Sequence, residues 1–209
     1  MIILSRPSAA LGLLALVGAF TLSGCAALLV GGAVVGGTLV ATDRRTTATQ
    51  LEDQLIEGKA ATKVRETLGE RGKATATSYN RLVLLTGDVV TDSDKVAVEQ
   101  AVARVDSVRS VVNELIVGGS ASLGTRSNDA LLSTKVKASI VDAKGLYANS
   151  IKVVTERSVV YMLGRVTEQE ATQAANVARG VSGVSKVVRV FDILTEAELA
   201  EIQPRAAGK

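Results

Sequence analysis

An internal repeat limits this chain more than any other feature. Residues 62–68, TKVRETL, return as residues 134–140, TKVKASI, with the same order of polar and apolar positions. After a five-residue insertion, LVLLTGDV at 82–89 returns as VVYMLGRV at 159–166. After a one-residue deletion, Val105, Val108, Val111 and Val112 align with Val181, Val184, Val187 and Val188. A chain that repeats such a unit builds one small fold twice, so two domains are expected over residues 50–118 and 127–194, joined by a linker at 119–126.

Each copy reads as the same string of elements. Ala60, Val64 and Leu68 form an apolar stripe at helical spacing, and so do Leu132, Val136 and Ile140, which predicts an amphipathic first helix. Two β-rich runs follow in each copy, at 74–79 and 82–89 and again at 150–155 and 159–166. Short polar connections at Asn80-Arg81 and Glu156-Arg157-Ser158 predict hairpins. Thr167 and Glu170 have the spacing of a capping box, which opens a second helix. Thr91-Asp92-Ser93-Asp94 opens its counterpart, which runs to about Val105. Alternating runs at 111–117 and 187–193 predict a last strand. The order is helix, strand, strand, helix, strand. A helical crossover between the second and third strands makes them parallel. The expected class is therefore α+β, with each three-stranded mixed sheet packed on two helices.

The first residues carry a different signal. Arg6 precedes an apolar stretch at 9–20, and Leu22-Ser23-Gly24-Cys25 follows at once, the layout of a cleaved secretory signal over residues 1–24. The stretch is too short for the roughly 20 residues that span a bilayer. L-S-G-C resembles the lipobox of bacterial lipoproteins, which implies diacylglycerol on the Cys25 sulfur and an N-acyl chain on its freed amine. Two or more chains hold a protein stably to a membrane. Residues 25–49 then form a tether, whose run AALLVGGAVVGGTLVA at 26–41 is uncharged and rich in glycine. We read it as lying at the lipid surface, with a second transmembrane span as the alternative. Ala26 follows the cysteine where aspartate usually retains such proteins in the inner membrane, so the outer membrane, facing the periplasm, is expected. At the other end, 196–203 is expected to form a short helix within a tail at 195–209.

Composition argues against an enzyme. There is no histidine, and the one cysteine is the expected lipidation site. The common general base, the thiol nucleophile and a His/Cys metal site are all missing. No cofactor beyond the acyl chains, no metal and no small-molecule substrate is expected. Gly69-Glu70-Arg71-Gly72 matches the GXXG pattern of a nucleic-acid clamp, but it closes a helix, and a secreted chain gives no reason to expect nucleic acid.

Tandem units of this order behind a lipobox resemble the dual BON-domain outer-membrane lipoproteins, related to the OsmY-like BON proteins. The resemblance rests on the tether V-G-G-A-V-V-G-G-T-L-V-A-T-D-R-R, on Ser127-Asn128-Asp129, Thr134-Lys135-Val136-Lys137 and Lys152-Val153-Val154-Thr155-Glu156, and on Leu163-Gly164-Arg165-Val166-Thr167-Glu168. It implies binding of anionic phospholipid through the second BON domain, support of envelope integrity and action at the division site. The alternative is a protein-interaction module that recruits an envelope assembly or cell-wall factor, with lipid serving only as tether.

Charge points to the second copy independently of the resemblance. Residues 50–118 hold nine basic and eleven acidic side chains, whereas residues 127–194 hold nine and six. An anionic surface attracts the second. At the 72-residue offset Lys59 aligns with Leu131, which lies about 140° around the helix from Val136, with Lys135 one turn on. Leu131, Lys135, Lys137 and Asn128 are the candidate lipid contacts. Leu131 either inserts below the phosphates or packs under a neighbouring loop or the first domain. Members of the family often carry an aromatic in this region, and this chain has no tryptophan.

Overall fold

The computed structural model describes residues 43–202. Cys25 and the run at 26–41 lie outside the described residues. Residues 43–202 form one compact unit, containing both copies. In the first, α1 (Thr47–Leu68) is followed by β1 (Gly72–Tyr79), β2 (Leu82–Val89), α2 (Asp92–Ala103), β3 (Ser110–Asn113) and β4 (Ile116–Val117). In the second, α3 (Leu123–Asp142) leads to one 3-10 turn, then β5 (Ile151–Glu156), β6 (Val159–Thr167), α4 (Glu168–Arg179) and β7 (Lys186–Leu194). A final helix, α5, spans Glu196–Ile202.

Both sheets have the expected topology. β2 and β6 are central, each paired antiparallel to the preceding strand and parallel to the last. Both hairpin loops have two residues at positive φ, Asn80 and Arg81 at 52° and 65°, Arg157 and Ser158 at 48° and 63°. These are the left-handed pairs of a type I′ turn, whose twist matches the flanking strands. Thr167 and Glu170 form the full capping box. The last strand of the first copy differs from expectation: it breaks at Glu114-Leu115, so β3 and β4 pair separately with β2. Gly87 and Gly164 sit where the neighbouring strand crowds in. A Cβ at either would overlap a carbonyl oxygen, of Lys73 or of Ser150.

The structure corrects the register of the repeat. The helix N-caps are Thr46 and Ser122. Buried Asp53 accepts the backbone N–H groups of Asn80 and Arg81, both at 2.8 Å. Buried Asp129 accepts those of Arg157 and Ser158, also at 2.8 Å. Cap, aspartate and first core residue (Ile56, Leu132) therefore correspond at an offset of 76, one helical turn from the 72 suggested by the shared Thr-Lys-Val. Leu131 consequently matches Leu55, and Lys135 matches Lys59. From the hairpins onward the offset is 77, because Asn80 and Arg81 correspond to Arg157 and Ser158, so the second copy has a single extra residue, which lies after α3 in the loop at 143–150. Two boundaries move as well: α3 begins at Leu123, inside the expected linker, and Asp43, Arg44 and Arg45, inside the expected tether, are packed on the folded body.

Alternation along the strands explains how the copies join. Val83, Leu85 and Val89 face α1 and α2, while Val160, Met162 and Val166 face α3 and α4. The intervening Leu84, Tyr161 and Leu163 point the other way and meet Tyr79 and Val190 in a third cluster. Each sheet thus carries helices on one face and the other domain on its second face, which is why its central strand reads as a nearly continuous apolar run. Five side chains buried there, at roughly 1.5–3 kcal/mol each, couple the two domains. The hairpin turns reach across reciprocally. Asn80 donates to Asp192 at 2.7 Å, and Arg157 pairs with Asp88 at 2.5 Å. The Tyr79 hydroxyl donates to the Ser150 carbonyl oxygen at 3.1 Å. Burial, with Asp43 nearby, pushes that phenol up to about 12, so it remains a donor throughout the physiological range.

Candidate membrane-binding site

α3 buries Asp129, Leu132, Val136 and Ile140 and turns its opposite side to solvent. Leu131 is 63% exposed there; it packs under neither a loop nor the first domain. At 100° per residue, Lys135 lies about 40° to one side of Leu131, near Asn128, and Lys137 about 120° to the other. All three are exposed. Leu123 and Val141 add exposed apolar side chains at the two ends of the helix, each about 80° from Leu131 on the Lys137 side. The helix is apolar both on its buried side and in a second, outward stripe with a lysine on each flank.

The four candidate residues share α3 but not one contact. Leu131, Lys135 and Asn128 lie together, whereas Lys137 lines a cleft of about 390 Å³ with Arg45, Tyr79, Val141 and Lys152. Sequence reasoning missed this cleft because both domains build it.

The corrected register changes what sets the second copy apart. Leu55 is 58% exposed and has Lys59 one turn on, so the Leu-Lys pair itself occurs twice. The charges around it differ. Lys59 is held by Asp106 at 2.8 Å, and Glu52 and Glu57 stand on α1, paired with Arg81 and Lys152. Lys135 and Lys137 form no ion pair among the described residues. Arg126 precedes them on the same helix, and the acids of α3 are the buried Asp129 and the terminal Asp142.

Both domains also hold the residues that follow the tether. Arg44, 5% exposed, meets both carboxylate oxygens of Glu170 at 2.6 and 2.7 Å and the Arg165 carbonyl oxygen at 2.9 Å. Arg45 pairs with Asp53 at 2.9 Å and with Asp43, and stacks 4.0 Å from the Tyr79 ring centre. Arg44 therefore binds the second domain and Arg45 the first. Burial opposes ionisation of Glu170, but Arg44 and the Thr167 backbone N–H outweigh it and hold the carboxyl below its usual range. A depressed folded pKa gives stability that is present above the ordinary value of 4.5 and lost as pH falls through the folded value. Glu170→Gln should therefore lower the Tm at pH 7, with the deficit shrinking steadily below pH 4.5 in a thermal-melt series.

The BON domain family matches residues 56–119 and 128–195, both copies of the repeat. The chain belongs to the BON-domain family. It is 38% identical over 175 residues to the outer membrane lipoprotein DolP of Haemophilus influenzae, covering 83% of this chain and 90% of that one. It is 30% identical over 152 residues to a 21 kDa hemolysin of Actinobacillus pleuropneumoniae, covering 72% and 78%. It is 38% identical over 66 residues, 31% of this chain and 33% of the other, to the osmotically-inducible protein Y of Escherichia coli. As a BON protein this chain has the α+β organisation expected of it, two mixed sheets each backed by two helices. Among the described residues no helix is long and apolar enough to cross a membrane.

Proposed function

We propose that this BON protein is a non-catalytic lipoprotein of the outer membrane, held at its periplasmic face by lipid on Cys25, whose second domain binds anionic phospholipid through α3. In this role it supports envelope integrity and acts at the division site. The observation that carries the reading is the exposed Leu131 stripe of α3 flanked by Lys135 and Lys137, two cations without acidic partners.

Magnitudes define the division of labour. Inserting one leucine contributes about 2 kcal/mol, and each lysine at an anionic surface about 1 kcal/mol. The sum, about 4 kcal/mol, corresponds to a Kd of about 1 mM. Such a contact cannot hold a free protein, but the acyl chains confine it beside the bilayer, where its effective concentration is high. Lipid chains provide attachment, and α3 provides orientation and selection of headgroup charge.

Co-sedimentation of residues 43–209 with phosphatidylglycerol or phosphatidylcholine vesicles tests this. Weak binding that needs phosphatidylglycerol and fades with added salt is expected. Leu131→Glu should reduce that binding by about tenfold or more while changing stability by less than about 0.5 kcal/mol, because the site is exposed. The protein-interaction reading has one observation of its own: Leu51 and Leu55 lie exposed on α1 of the acidic domain, a surface that an anionic bilayer repels. Absence of vesicle binding would transfer support to it.

A further inference from the structure

The two copies treat their last strand differently. In the first, the strand that closes the sheet is broken into four residues, β3, and two, β4. Short, interrupted edges are one way in which folded proteins keep foreign strands from pairing with them. At the other edge of that sheet, Glu57 accepts the Ser78 N–H of β1 and Lys152 donates to the Ser78 carbonyl oxygen. In the second copy β7 runs unbroken for nine residues, all of them in register with β6. β7 is the outermost strand of its sheet, and among the described residues no backbone hydrogen bond reaches it from the side away from β6. An unpaired edge of this length is a template for one more strand.

Side chains beside that edge define the strand that fits it. α4 packs over β7, and Ala171, Phe191 and Ile193 line a hollow of about 140 Å³ between them, together with the exposed Glu168 and Arg189. Alternate residues of a strand share one face, so an added strand would place an apolar side chain at this hollow. In such additions main-chain hydrogen bonds give affinity and side-chain pockets give specificity. The charges of β7 select further. Lys186 forms no ion pair among the described residues, and Arg189 stays exposed although it meets Glu168 at 3.0 Å. The one acid of the strand, Asp192, is already held by Asn80, Arg109 and Arg165. The edge is therefore cationic, which argues against a second copy as its occupant. Pairing β7 antiparallel with itself about Arg189 sets two guanidinium groups directly opposite each other, and like charges so placed destabilise a sheet. Pairing about Val190 sets Arg189 against Phe191, with no acid to receive it. We infer that β7 is a strand-addition site for an extended segment of another protein, one that alternates apolar and polar residues and carries acids opposite Lys186 and Arg189. The site uses no residue of α3 and stands independently of the lipid-binding reading.

The probe is a fluorescein-labelled peptide that matches β7 in length, alternates threonine with valine, and carries glutamate opposite Lys186 and Arg189 in the antiparallel register. It would be titrated with the full lipidated protein in detergent, without vesicles, and followed by fluorescence anisotropy. Saturable binding is expected, weakened about fivefold or more when both glutamates become lysine. Two further peptides, N-methylated at alternate positions, test the mode of binding. Only one edge of an added strand faces β7, and a residue's N–H and carbonyl oxygen lie on the same edge. One methylated peptide should therefore bind within about twofold of the parent and the other about tenfold or more weaker. Arg189→Glu, an exchange on the surface that leaves the fold intact, should weaken the parent peptide about fivefold or more, whereas Leu131→Glu should leave it unchanged. Absence of saturable binding, equal losses for the two methylated peptides, or indifference to Arg189→Glu would overturn the site. A protein dimer in analytical ultracentrifugation that the peptide dissociates would assign the edge to a second copy and overturn the inference as well.

Discussion

Leu163→Asp should destabilise the whole body by on the order of 4–5 kcal/mol, as expected for an unpaired charge placed in a core. Leu163 is fully buried between the two sheets, against Tyr79, Leu84, Tyr161 and Val190. The Arg45 guanidinium that stacks on the Tyr79 ring is already paired with Asp43 and Asp53, so the aspartate must stay protonated or force the sheets apart. Either outcome affects both domains, since each contributes side chains to the cluster. Urea unfolding followed by circular dichroism would measure the loss. Limited proteolysis should show faster cutting near residues 118–122, the connection that domain separation exposes. Comparison with Leu131→Glu is informative, because a similar exchange of leucine for an acid on an exposed surface is expected to leave stability nearly unchanged.

Asp53→Ala should cost about 3 kcal/mol, since it leaves buried hydrogen-bond donors without partners. The Asp53 carboxylate accepts the N–H groups of Asn80 and Arg81, the Ser78 hydroxyl at 2.6 Å and the Arg45 guanidinium at 2.9 Å. Burial raises its pKa, but the Ser78 hydroxyl and the two turn amides prevail and hold the carboxyl below the usual range. Its loss removes the partner that compensates two left-handed, non-glycine residues in the turn, an arrangement costly in itself. Asp129→Ala should cost less, because Asp129 holds two turn amides but has no arginine corresponding to Arg45. Thermal melts of the two variants would rank them, and an equal or reversed order would contradict this account of the turns.

The fold was largely legible in the sequence because its elements carry local signals. The Thr167-Glu170 box, the Asn80-Arg81 turn and the helical stripes each depend on residues close together in the chain, and each lies where expected; the second turn is Arg157-Ser158, one residue shorter than expected, with Glu156 still in β5. What failed was the register, because the repeated Thr-Lys-Val is a surface similarity. Its side chains lie mainly on the exposed side of the helix, where few contacts fix their position. The better guide was present: an aspartate three residues before the first core position, Asp53 before Ile56 and Asp129 before Leu132. An acid so placed reads as solvated until a hairpin turn is seen donating to it.

The candidate site was legible in part. Helical geometry put Leu131 outward beside Lys135, and the structure places them so. In the sequence Arg44 and Arg45 fall only within the tether expected at 25–49, because their partners Glu170, Arg165 and Asp53 belong to different domains. The packing of sheet on sheet left a trace in LVLL and VVYML, runs apolar at both odd and even positions. That pattern signals burial on two faces without saying what covers the second.

The surface assigned to lipid can be tested directly by titrating isotope-labelled residues 43–209 with phosphatidylglycerol micelles and following backbone amide shifts by NMR. The account predicts shifts concentrated at residues 126–142, along the outward side of α3, with α1 and α2 unmoved. Shifts centred on Leu51 and Leu55 of α1, or a spectrum indifferent to the lipid, would contradict it.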